Sequence, residues 1–155
     1  MVHILKPPQS LDAVTDFKRT VFLAGSIEMG TAENWQDDVA QSLEMGELTL
    51  LNPRRDVWDL TWEQTITNPS FRGQVAWELE AQEKAAMIAM YFAPSTKSPI
   101  TLLELGLFAR SNKLVVCCPD GFWRKGNVEV VCDRYQIPTV RTLDALITAI
   151  RQQFA

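Results

Sequence analysis

Four nearly unbroken apolar runs constrain this chain most: Thr20-Val21-Phe22-Leu23-Ala24, Leu48-Thr49-Leu50-Leu51, Ala86-Met87-Ile88-Ala89-Met90-Tyr91-Phe92 and Lys113-Leu114-Val115-Val116-Cys117-Cys118. None alternates polar with apolar, so each reads as a strand buried on both faces. Helical patterns separate them. Trp35, Val39 and Leu43 recur at four-residue spacing, with Gly46 as a fitting end. Further helices are expected from about Arg72 to Lys84, from Ser98-Pro99 to Ala109, and over Val128 to Arg134. Thr142 caps a last one with Leu143, Leu146, Ile147, Ile150 and Phe154 on one face. Thr139-Val140 makes a brief fifth strand.

Alternation of two-sided apolar strands with helices predicts an α/β fold: a flavodoxin-like three-layer sandwich around a five-stranded parallel sheet, order 2-1-3-4-5. Ligands of such sheets sit beyond the carboxyl ends of the strands. That rule gathers Gly25-Ser26, Asn52 onward, Ala93 to Ser98 and Pro119 to Asn127 onto one rim. Residues 1–19 read as a lead-in docked by Val14 and Phe17, and 155 residues suit a single domain spanning 1–155. Residues 54–71 lack periodicity but carry Trp58 and Trp62, which argues for an ordered, functional loop.

Composition removes several kinds of function. A net charge of −4 argues against a nucleic-acid surface, and no run is long enough to span a membrane. Residues Met1 to Pro8 do not have the form of a signal peptide. Cys117, Cys118 and Cys132 are odd in number and lack metal-ligand spacing, as in a reduced, cytoplasmic protein. His3 is the only histidine, so no catalytic triad or histidine metal site is expected. Neither a GxGxxG fingerprint, a P-loop nor a flavin phosphate loop is present, and no cofactor is expected. Chemistry is left to carboxylates, hydroxyls, amides and aromatics.

Glu104 is the single charge in Ser98-Pro99-Ile100-Thr101-Leu102-Leu103-Glu104-Leu105-Gly106-Leu107-Phe108-Ala109. Its helical neighbours Ile100, Thr101, Leu107 and Phe108 offer no ion pair. It either pokes into water past the core or sits in an apolar cleft, where desolvation makes a carboxylate reactive. Ser98 suits a helix cap, beside free N–H groups that also suit a phosphate or hydroxyl. Glu78 reads as a solvated helix residue unless Glu104 is its partner. Two carboxylates around a cleft are the minimum for glycosidic-bond chemistry. Gly25-Ser26 lets backbone approach a ligand or merely turns the chain. Trp58 and Trp62 stack on a flat base or plug the core. Asn127 hydrogen-bonds a ligand from the rim or caps the helix that follows.

Together, Phe22-Leu23-Ala24-Gly25-Ser26-Ile27, Trp77-Glu78-Leu79, Ser98 to Gly106 and Gly121-Phe122-Trp123-Arg124-Lys125-Gly126-Asn127-Val128 resemble the nucleoside 2-deoxyribosyltransferase superfamily, and its nucleoside 2-deoxyribosyltransferase-like branch most, over roughly residues 20–140. The resemblance implies N-glycosidic cleavage of a nucleoside or nucleoside monophosphate, with the sugar passed to another base or to water. It makes Glu104 the nucleophile and Glu78, where the family usually has Asp, the group assisting at the base. Ser98, six residues before the nucleophile, matches relatives that contact a 5′-phosphate, whereas free-nucleoside transferases carry Asp there. Asn127 matches an asparagine that reaches a neighbouring subunit, implying a homodimer or larger homo-oligomer. The family's tyrosine on the first strand has no counterpart between Val21 and Ile27. Gly25, Ser26, Asn52, Trp58 and Trp62 complete the expected substrate site. The alternative is a nucleotide-binding module without turnover; a flavodoxin-like electron carrier fits less well.

Overall fold

Val21, Phe22, Leu23 and Ala24 are all shut off from solvent, so this strand is covered on both faces. The computed structural model describes residues 2–43 and 46–155, with backbone alone for Met29. In chain order the elements are β1 (His3–Leu5), β2 (Thr20–Gly25), α1 (Trp35–Ser42), β3 (Thr49–Leu51), α2 (Pro69–Lys84), β4 (Met87–Tyr91), α3 (Pro99–Phe108), β5 (Leu114–Cys117), α4 (Lys125–Tyr135), β6 (Thr139–Val140) and α5 (Leu143–Gln153).

All strands run parallel in one sheet of order β1-β3-β2-β4-β5-β6. The five expected strands keep their expected relative order, but the sheet has six strands, not five. The extra one comes from the lead-in: His3, Ile4 and Leu5 pair with Thr49, Leu50 and Leu51 at the edge. Three residues of which only Leu5 is buried carry too little pattern to read as a strand. The rest of the lead-in follows expectation, with Val14 and Phe17 packed against the core.

Alternate strand residues feed two cores. Phe22, Ala24, Ile88, Met90 and Val116 face a layer containing Trp77 and Ala81 of α2, Leu105 of α3 and Val128 and Cys132 of α4. Val21, Leu23, Met87, Ala89 and Cys117 face Trp35 and Val39 of α1 and Leu146, Ile147 and Ile150 of α5. Helices α2 and α3 therefore lie on the same side of the sheet, the condition for Glu78 and Glu104 to meet.

Helix ends differ from the sequence reading in four places. Helix α1 stops at Ser42 rather than near Gly46, and residues 44 and 45 lie outside those described. Helix α2 starts earlier than Arg72, because the Asn68 side chain caps the Phe71 N–H and Pro69 takes the first turn. Helix α4 starts at Lys125, so Asn127 lies inside it and is not its cap. Ser98 precedes Pro99 as expected but does not cap α3: it is in the left-handed region (φ 46°) and its side chain makes no capping bond. Thr142 does cap α5, accepting from Ala145 N–H.

At the end of β2, a Cβ on Gly25 would lie 2.4 Å from the Tyr91 carbonyl oxygen and 2.5 Å from Trp35 Cζ2. Neither the strand backbone nor a fully buried indole has room to yield. Gly25→Ala is expected to destabilise the fold by roughly 1–3 kcal/mol, measured by urea unfolding; an unchanged midpoint would show that this seam is loose.

Candidate active site

Glu104, in the second turn of α3, is only 7% exposed. It opens onto a cavity of about 370 Å³ between α2, α3 and the long loop before α2. Glu78, Trp58 and Trp62 line the same cavity, together with Phe71, Leu79, Ile100, Leu103 and Leu107. Four of the residues singled out in the sequence thus share one space, and its walls are largely hydrocarbon and aromatic. Among the described residues, no Lys or Arg lines it.

Neither carboxylate has an ion-pair partner among the described residues. Burial pushes the Glu104 carboxyl up to about 7, opposed by a hydrogen bond from Gln82. Burial, then the like charge of Glu104, pushes half-buried Glu78 higher, to about 8; a Gln74 hydrogen bond and the Arg55 charge oppose it. Near neutral pH the Glu104 carboxyl ionises ahead of the Glu78 carboxyl, which is held higher.

The amides that hold these groups carried no distinct mark in the sequence. Gln82 Nε2 donates to Glu104 Oε2 at 2.6 Å. Gln74 Oε1 accepts from Arg55 Nε at 2.7 Å, and Arg55 lies 4.7 Å over the Trp62 ring. Helical spacing was the available signal: Gln74 and Gln82 stand one turn either side of Glu78.

Ser26 and Ser98 come together, but in a buried hydroxyl cluster and not on the cavity wall. Ser26 Oγ lies 2.6 Å from Ser98 Oγ and 2.9 Å from Thr96 Oγ1, with 2.7 Å between the last two. Thr96 gives its hydrogen to the Ala93 carbonyl, so the two hydrogens of Ser26 and Ser98 can serve only two of the three edges at a time. Ser26 also accepts from Ala93 N–H. The Ser98 N–H donates to the Glu28 carboxylate at 3.1 Å. Both Glu28 (φ 50°) and Ser98 (φ 46°) are left-handed, so this junction at the head of α3 holds local strain. The Ser98 N–H at that head is therefore engaged.

The remaining expected residues lie elsewhere. Gly25 serves close packing against Tyr91 and Trp35. Asn52 is buried, and its side chain accepts from Arg54 N–H. The Arg54 guanidinium clasps the loop before α1 through the carbonyls of Gly30, Ala32 and Glu33. Asn127 is exposed in the first turn of α4 and does not line the cavity. Trp58 packs against Gly30, where a Cβ would lie 2.6 Å from the indole, and its buried Nε1–H has no partner among the described residues.

The sequence profile of the nucleoside 2-deoxyribosyltransferase-like family matches residues 18–122. The chain belongs to the nucleoside 2-deoxyribosyltransferase-like family. The matched span carries Glu78, Glu104, both tryptophans and the Ser26–Ser98 pair, and stops short of Asn127. Membership in this nucleoside 2-deoxyribosyltransferase-like family supports a glycosyl-transfer function in general terms. A search of curated proteins returns no match. Among the described residues, no helix is long and apolar enough to cross a membrane.

The two raised carboxyls have a consequence for stability that requires no substrate. The folded chain keeps protons that the unfolded chain releases between about pH 4.5 and 8, so folding stability falls as pH rises through that window. Glu104→Gln removes the Glu104 share of that loss. The variant is expected to unfold roughly 5–10 °C above the parent at pH 9, from on the order of 2–3 kcal/mol, and close to it at pH 4. Thermal unfolding followed by circular dichroism at both pH values checks this.

Proposed function

We propose that the protein cleaves the N-glycosidic bond of nucleosides through a covalent intermediate on Glu104. The observation that carries this reading is a pair of carboxyls, both raised and split in pKa, on the wall of one apolar cavity. The Glu104 carboxylate attacks the anomeric carbon of the sugar. The carbon–nitrogen bond breaks, its electron pair leaves with the base, and the protonated Glu78 carboxyl supplies the proton. A second base or water then attacks the same carbon, Glu78 takes up the proton of the nucleophile, and the ester bond to Glu104 breaks. Two displacements retain the anomeric configuration. Trp58, Trp62 and Phe71 provide flat surfaces for the departing and incoming bases.

The family resemblance implies that the 5′ end of the sugar lies near Ser98. There the Ser98 N–H and hydroxyl are engaged, Glu28 brings a negative charge, and Lys97 lies over the Trp123 ring. These features favour a free nucleoside, with an uncharged 5′-hydroxyl, over a monophosphate; they reverse the leaning that serine alone suggests. Gly25, Ser26 and Asn52 belong to this reading as the frame of the rim.

Incubation with a panel of nucleosides and monophosphates, with and without free adenine, tests the activity. Base release is expected from nucleosides, faster than from monophosphates, together with a mass adduct of one sugar on Glu104. The rate should rise with pH through about 7, as Glu104 ionises, and fall through about 8, as Glu78 loses its proton. Glu104→Ala should lower base release at least a thousandfold, about the cost of losing a catalytic nucleophile; a variant as active as the parent excludes the mechanism.

A homo-oligomer is part of the same proposal. Ile100, Leu103 and Leu107 leave an apolar stripe more than half exposed on α3, beside the cavity mouth. A second copy covering that stripe would exclude water from the ester intermediate, and Asn127 is the residue expected to cross between copies. Sedimentation velocity is expected to give a dimer or larger, and a Leu103→Glu variant a monomer.

A further inference from the structure

The nucleophile has one hydrogen-bond partner among the described residues, and it is the least expected member of the site. Gln82 is fully buried on α2, one turn after Glu78. Its Nε2 donates twice, to the Glu78 main-chain carbonyl at 3.1 Å and to Glu104 Oε2 at 2.6 Å. Both amide hydrogens are therefore committed, one to its own helix and one across to α3. The amide carbonyl, Oε1, is buried with no partner among the described residues.

The amide has only one sensible orientation while Glu104 is ionised. Turned over, it would set oxygen against a carboxylate oxygen and against a helix carbonyl, two contacts between acceptors. The orientation that avoids both strands Oε1 instead. A buried acceptor left unpaired is a standing cost to folding, and native structures hold few of them. Here the cost coincides with the one hydrogen bond to Glu104 among the described residues.

Resting on the reading of Glu104 as the nucleophile, we infer that Gln82 is the positioning residue of the reaction: it holds Glu104 Oε2 and leaves Oε1 free to attack the anomeric carbon. Because the first hydrogen is spent on the main chain of α2, the tether fixes α2 to α3 and sets where Glu104 stands relative to Glu78. During the reaction Oε1 forms the bond to carbon. Oε2 becomes the ester carbonyl and keeps its bond to Gln82, so the amide need not move. The same bond favours the ionised form of Glu104 against the apolar wall.

The test is Gln82→Met, which keeps length and removes both donors, with isosteric Gln82→Glu as a second variant. Carboxyl-labelled protein is titrated by carbon-13 NMR, a readout independent of turnover. In both variants the Glu104 carboxyl is expected to titrate about one pH unit higher or more. The acid limb of kcat/KM should move by the same amount. With nucleoside, kcat should fall roughly a hundredfold, the scale of a slight misplacement of a reacting group, with KM nearly unchanged. An unchanged Glu104 titration in either folded variant overturns the inference. A shifted titration in a protein that releases no base from any nucleoside keeps the tether and overturns the proposed function instead.

Discussion

The parallel pairing of β2 with β4 at the middle of the sheet is the constraint on which the rest depends. Val21, Phe22, Leu23, Ala24 and Gly25 register with Met87, Ile88, Ala89, Met90 and Tyr91, and every one but Gly25 is buried. Two strands closed to water on both faces require helices on both faces. Parallel strands also require each connection to travel back across the sheet. Those two demands bring the ends of β2 and β4 to one rim, and send α2 and α3 down the same face, where the apolar cavity opens between them. The close approach of Gly25 to Tyr91 and Trp35 is the same constraint at atomic scale.

The cavity sets the chemistry by what it lacks. A carboxylate in water is comfortable and unreactive; on a wall of leucine, isoleucine and tryptophan it is neither. The protein holds two such groups with amides and not with cations: Gln82 on Glu104 and Gln74 beside Glu78. A full ion pair would return both carboxyls to low pKa values and remove the proton that Glu78 holds near neutral pH. The one buried guanidinium among the described residues, that of Arg54, is spent on backbone carbonyls of the loop before α1. It builds the frame of the site without neutralising it.

Much of the fold was legible because two-sided strands leave an unambiguous trace. All five expected strands exist, and Thr139–Val140 matches to the residue. The misses have specific causes. Strand β1 is short and mostly exposed, so it lacks a hydrophobic signature. Asn68-Pro69-Ser70 looks like loop punctuation, yet the same residues cap and open α2. Ser98 has the chemistry of a cap, but Ser26 and Thr96 draw its hydroxyl away and its backbone turns left-handed to comply. At β1 and Ser98 a contact distant in sequence overrode a local preference, whereas the α2 cap is local and was misread as punctuation.

The sequence by itself determined the layers, the parallel sheet, the position of Glu104 on an apolar helix and the candidate partnership with Glu78, because burial pattern and helical spacing are properties of neighbouring residues. Only the tertiary structure decided that these carboxyls share a cavity with Trp58 and Trp62 while Asn52 and Asn127 stand outside it. It alone brought Gln82 against Glu104 and Glu28 against the head of α3. Side-chain hydrogen bonds between elements act over a few ångströms and depend on how helices settle on the sheet. No periodicity along the chain records them.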